Sequence, residues 1–155
     1  MENNQSIKGR CICGEVRYQI TEKPLFTQAC HCKDCKVLTG SSYVVNSSVL
    51  ENTLKVEGEV SSAKLKAGSG AAARAFFCTK CGTYVYTDYD SAVGRLNVRT
   101  KTLEDPDKFP PQVHIFTKDK DPWLNLSENV NCFEQMYDPK VTWPKESLNR
   151  IKDYL

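Results

Sequence analysis

Apolar and polar residues alternate with a period of two through much of this chain. In EVRYQI, Val16, Tyr18 and Ile20 fall on one face and Arg17 and Gln19 on the other, the pattern of a half-buried strand. SYVV, TLKVEG, RAFFC, TYVYT, RLNVR and QVHIFT continue it, rich in β-branched and aromatic residues. Helical spacing appears in two places. CKDCKVLTG predicts a turn or two of helix ending near Gly40. PKESLNRIKDYL has Pro144 at a helix start and Leu148, Ile151 and Leu155 at helical spacing, which predicts an amphipathic C-terminal helix packed on its own sheet. GSGAAAR, from Gly68 to Arg74, begins as a turn and reads as a loop, as does LEDPDKFPP with its three prolines. The whole reads as one mainly-β domain with minor helices.

Composition narrows the functional classes. A length of 155 residues suits one domain with a proper core. The net charge of +2 is nearly balanced, and no run of Lys or Arg suggests a nucleic-acid partner. Apolar runs are short, so no transmembrane helix is expected. The opening MENNQSIKGR has no apolar segment of the signal-peptide kind. The expected compartment is the reducing cytosol, with the nucleus open by diffusion.

Eight cysteines change the picture. In a reducing compartment disulfides are a poor explanation, and clustered thiols point to metal. Cys11 and Cys13 lie in RCICGE, Cys30, Cys32 and Cys35 in ACHCKDC, and Cys78 and Cys81 in FCTKCGT. Cys132 stands alone and reads as a small buried hydrophobe. Zinc suits all-thiolate ligands, being borderline-soft and redox-inert. Seven clustered thiols cannot close two tetrahedral sites. They allow a closed site of four with an open site of three, or one site with stray thiols, or a fourth ligand from His31. Free thiols or a disulfide are the remaining alternatives.

Local sequence favours the first division. CICG and CTKCG both end in Cys-Gly, where glycine lets the chain turn tightly and aim backbone N–H groups at sulfur. Facing knuckles of this kind give Cys11, Cys13, Cys78 and Cys81 as a structural zinc site. The central cluster lacks that ending. Cys30 and Cys32 share one face of an extended segment, Cys35 returns to it across a helical turn, and His31 points away as a packing residue. Three thiolates then converge with one position open, as in a catalytic site. Such a centre is a weak generator of hydroxide but can hold a fourth, exogenous thiolate. Glutathione is the abundant cytosolic thiol. Its attack on a small aldehyde gives an S-hydroxyalkyl adduct, and the reverse is a carbon–sulfur lyase reaction. Lys33 and Lys36 flank the cluster and are read either as attractors of the ligand's carboxylates or as solvated surface lysines.

The chain resembles the glutathione-dependent formaldehyde-activating enzyme family, which includes centromere protein V. The likeness rests on GRCICGEVRY, CHCKDCKVLTGSSY, FFCTKCGTYVYT and TLEDPDKFPPQVHIFTKDKDPWL, in that order. It implies a β-tent fold over residues 9–126, with a polar extension at 1–8 and a C-terminal extension at 127–155. It implies the same ligand sets: structural zinc on Cys11, Cys13, Cys78 and Cys81, catalytic zinc on Cys30, Cys32 and Cys35. The implied activity joins formaldehyde to glutathione as S-hydroxymethylglutathione. Lys101 and Lys36 depart from the residues expected there, and nothing after Leu126 matches a family motif. His114 matches a family position and reads as structural. No general acid stands out; water, His31, Tyr43 and Tyr84 are the candidates. The alternative to an enzyme is a zinc-stabilised interaction module of the centromere protein V type, or a metal store. Exposed edge strands and the terminal helix allow a homodimer.

Overall fold

The computed structural model describes residues 5–68 and 70–155. Met1–Asn4 of the expected polar extension, and Ser69 of the expected glycine loop, lie outside the described residues. The remainder of that extension is not a tail, because Ile7 and Lys8 already belong to the first strand.

The architecture is mainly β. Strands β1 (Ile7–Arg10), β2 (Arg17–Ile20) and β5 (Leu54–Glu57) form a small antiparallel sheet in the order β1-β2-β5. The large sheet takes β3 (Phe26–Cys30), β4 (Val44–Leu50), β6 (Val60–Ala67), β7 (Ala71–Cys78), β8 (Tyr84–Tyr89), β9 (Arg95–Arg99), β10 (Val113–Ile115) and β11 (Asn131–Cys132). Its order is β11-β10-β3-β4-β9-β8-β7-β6. β10 runs parallel to both its neighbours, and the other pairs are antiparallel. Short helices α1 (Lys33–Thr39), α2 (Pro139–Thr142) and α3 (Lys145–Tyr154) complete the chain.

The two faces of the large sheet bury different things. On one face Val16, just before β2, and the small sheet's Tyr18 and Ile20 pack with Val49, Val85 and Val98. The other face is covered by α1 and the C-terminal segment, whose Tyr137 and Trp143 pack on Phe26. Strand β4 divides the two by alternation: Val44 and Leu50 face the C-terminal side, Val49 the small sheet.

Most expected strands form where the alternation places them. The differences have local causes. Ala71–Arg74 are strand rather than loop, because Ala71 pairs with Ala67 and the hairpin turns in the glycines before it. β3 and β6 escape a period-two reading because β3 is buried on both faces and β6 is mostly exposed. α1 has Cys32 as N-cap and ends at Gly40, as the sequence predicts. In α3, Ser147 donates to the Leu25 carbonyl at 2.6 Å and Leu148 and Ile151 pack on the core. Leu155 instead stays exposed. Cys132 is also exposed, which corrects its reading as a buried hydrophobe: β11 is a two-residue edge strand with both residues exposed. No helix among the described residues is long and apolar enough to cross a membrane.

Candidate metal centres and an adjoining cavity

The fold brings the seven clustered cysteines into two groups. Within each group the sulfurs all lie within 4.8 Å of one another. Cys11, Cys13, Cys78 and Cys81 form the first. The chain reverses just after each pair, at Gly14 (φ 81°) and Gly82 (φ 73°), in the left-handed region that favours glycine. Amides then reach the sulfurs: the Val16 N–H donates to Cys11 Sγ at 3.3 Å. Cys11 and Cys13 sulfurs are 3.5 Å apart, and Cys13 and Cys78 3.7 Å. Four ligands at the zinc–thiolate bond length would set neighbouring sulfurs about 3.8 Å apart in a tetrahedron. The donor set and its spacing therefore fit a closed metal site.

Cys30, Cys32 and Cys35 form the second group, and all three are buried. Cys30 ends β3 and Cys32 caps α1, its sulfur accepting the Cys35 N–H at 3.2 Å. Hydrogen bonds from Cys30 and Cys35 hold the Cys32 thiol down to about 2. Hydrogen bonding with Cys32 and Cys35, together with burial, pushes Cys30 far up. For Cys35, hydrogen bonding with Cys30 lowers the value, but hydrogen bonding with Cys32 and burial outweigh it and push the thiol up to about 12. Three adjacent anions cannot coexist without a counter-charge, and a soft cation is what such a donor set accommodates. A nearby Arg99 adds positive charge that favours the Cys35 thiolate.

His31 is not part of this group. It is wholly buried, with Nε2 2.8 Å from His114 Nδ1 and its ring 4.9 Å from that of Tyr43. Burial lowers His31 to about 4 and lowers His114 as well, so the pair is neutral near pH 7 and shares one proton between the facing nitrogens. Lys36 is neither a solvated lysine nor free for a ligand, because it donates to the Asp119 carbonyl at 2.6 Å and pairs with Asp121 at 2.9 Å. Lys33 and Lys101 are exposed.

Beside the second group lies a cavity of about 170 Å³, with Cys30 and Cys35 in its wall. Its floor is the polar row that β3, β4 and β9 present on this face: Gln28, Asn46, Ser48, Arg95 and Asn97. Met136, Tyr137 and Trp143 of the C-terminal segment close it, together with Phe116. Phe116 sits at φ 54°, a strained conformation for a bulky residue, held by its N–H to the Gln135 carbonyl at 3.1 Å. The phenols in this wall are Tyr89 and Tyr137, not the Tyr43 and Tyr84 singled out in the sequence. Burial raises both, Tyr137 to about 12, so both keep their protons. Tyr137 is committed, donating to Gln28 Oε1 and accepting from Trp143 Nε1 at 2.9 Å. The Tyr89 hydroxyl has no hydrogen-bond partner among the described residues. Apart from Cys30 and Cys35, the sequence pointed to none of these wall residues: Arg95 and Asn97 alternate as ordinary strand polars, and the C-terminal segment carries no motif.

The sequence profile of the family described as glutathione-dependent formaldehyde-activating enzyme matches residues 6–119. The match spans both cysteine groups. The chain belongs to that family. The match stops before the residues of the C-terminal segment that close the cavity, so that wall is not covered by the family's profile. A crystal structure of a Rhodobacter sphaeroides protein is similar, with a TM-score of 0.49 and 24% identity over 63% of this chain and 87% of that one. No curated protein matches the chain. Family membership makes a glutathione-related enzyme the general class, and both cysteine groups are compatible with zinc.

Proposed function

We propose that this chain is a zinc-dependent carbon–sulfur lyase that joins glutathione to a small aldehyde, formaldehyde being the family's example, and cleaves the adduct in reverse. One observation carries the reading: of the three clustered, buried sulfurs, two, those of Cys30 and Cys35, line a cavity walled by polar groups, while the other four sulfurs already make a complete set of four ligands. Cys30, Cys32 and Cys35 would hold a zinc with one position open toward the cavity, and Cys11, Cys13, Cys78 and Cys81 a second, structural one. The zinc in the open site would supply a soft cation that keeps a bound thiol ionised without redox chemistry.

The residues divide the remaining work. The substrate thiol gives its proton to water, and its sulfur forms a bond to the aldehyde carbon. The carbonyl π pair moves onto oxygen, and Tyr89 supplies that oxygen's proton, to be reprotonated from solvent. Thiol plus aldehyde thus equals hydroxyalkyl thioether, with no oxidant or reductant needed. Tyr89 suits the part because it lines the cavity and burial keeps its hydroxyl protonated. His31 and His114 support the cysteine segment from behind, each committed to the other. Residues 9–126 carry the chemistry, residues 127–155 wall the cavity, and the cytosol is the compartment we assign.

Metal analysis and NMR test this. Two zinc ions per chain are expected, and the thiolate absorption of cobalt in the open site should shift and intensify when glutathione adds a further sulfur. Carbon-13 formaldehyde with glutathione should equilibrate with its adduct faster in the presence of the protein. A protein with full metal that neither changes its cobalt spectrum nor accelerates that exchange would overturn the reading.

A further inference from the structure

Three hydrogen-bonding side chains along the cavity floor have no hydrogen-bonding or ionic side-chain partner among the described residues. Ser48 is 6% exposed and its Oγ is buried with no partner. Asn97 is paired with Ser48 across β4 and β9 and lines the same cavity. Arg95, two residues along β9 and so on the same face, makes no ion pair among the described residues. A buried hydroxyl left unpaired costs stability, and a half-buried guanidinium without a carboxylate costs more. In native folds such groups are completed by ordered water, an ion or a ligand, and these three share one cavity wall.

The groups also have an order. Cys30 lies opposite Val44 at one end of β4, and Arg95 lies opposite Leu50 at the other. Six residues of strand separate those levels by about 20 Å before the side chains reach inward. The Arg95 guanidinium is fixed 4.8 Å over the Trp143 ring, which sets its direction without neutralising it. We propose that Arg95 binds a carboxylate of the thiol substrate, with Ser48 and Asn97 bonding the amide groups between carboxylate and sulfur. This rests on the reading of Cys30 and Cys35 as the sulfur end. The ligand it selects is an extended, peptide-like thiol whose acid group lies several bonds from sulfur. The selecting wall, through Trp143, comes from the segment beyond the family's profile.

Calorimetry on metal-loaded protein with three probes tests this: glutathione, cysteamine (a thiol without carboxylate) and S-methylglutathione (carboxylates without a free thiol). In Arg95→Gln, affinity for glutathione and S-methylglutathione should fall about 10- to 100-fold, as for loss of a charge-assisted pair, with cysteamine unchanged. Ser48→Ala covers the case in which Arg95→Gln fails to fold. It removes an unpaired buried hydroxyl, so its melting temperature should hold or rise while glutathione binds several-fold more weakly. Equal losses for all three probes, or none, overturn the proposal. If cysteamine does not bind the wild-type protein but S-methylglutathione does and responds to Arg95→Gln, the sulfur end is wrong and the Arg95 site stands.

Discussion

The two cysteine groups are built from the same atoms and are placed in opposite settings. Cys11, Cys13, Cys78 and Cys81 come from two glycine-ended turns, one before the small sheet's β2 and one between β7 and β8, with Cys13 exposed. They tie the start of the chain to a hairpin about 65 residues later, measured by the Cys13–Cys78 contact. Cys30, Cys32 and Cys35 come from one short stretch, tie nothing distant together, and are buried beside a cavity. On the proposed reading, the difference teaches that ligand number alone does not separate a structural from a reactive centre. What separates them is which backbone the ligands join and what lies against the sulfurs.

The largest effect should come from breaking that division. Cys78→Ala leaves three ligands in the cross-linking group and a void in a side chain that is 1% exposed. Structural zinc in small domains contributes on the order of 10 kcal/mol, comparable to a whole domain's stability. The variant should be unfolded or insoluble by circular dichroism. Cys32→Ala should fold, with half the metal content and no spectral response to thiol. Equal melting losses in the two variants would mean that both groups are structural.

A smaller effect separates chemistry from metal holding within the cavity group. Tyr89→Phe keeps the ring and removes the hydroxyl. The rate of adduct exchange should fall about 100-fold, the lower end for losing a general acid, while metal content and the cobalt–thiolate band stay as in the wild type. Retention of full rate would return the proton's source to water. Tyr84→Phe serves as the control and should keep its rate, since that hydroxyl is occupied by Thr87 at 2.5 Å.

Legibility in the sequence followed locality. The two groups could be sorted because Cys-Gly endings and the Cys-X-Cys-X-X-Cys spacing act within a few residues. His31 could be set aside because alternation alone turns it away from Cys30. The cavity could not be read, because its floor is assembled across strands: Ser48 meets Asn97 only once β4 pairs β9. The same holds for Lys36, whose partners Asp119 and Asp121 are more than 80 residues away by the hydrogen-bond separation. Cys132 was misread because a lone cysteine's burial depends on what covers its strand, and the sequence of β11 does not contain that.

The exposed Cys132 provides the finest probe of the comparison. As the exposed thiol outside both groups, it should react with a maleimide in fully loaded protein, giving one label per chain. Thiolates engaged with a metal are protected from alkylation. A competing chelator should draw metal first from the open group, which has fewer ligands and joins no distant segments. Labels should then rise from one to four per chain with circular dichroism unchanged, and reach eight, the full cysteine count, only as the sheet signal collapses. Four labels appearing together with loss of structure would place the fold's dependence on the cavity group. A smooth rise without a step at four would mean that the two groups hold metal equally, and that the cavity's open position does not weaken its grip.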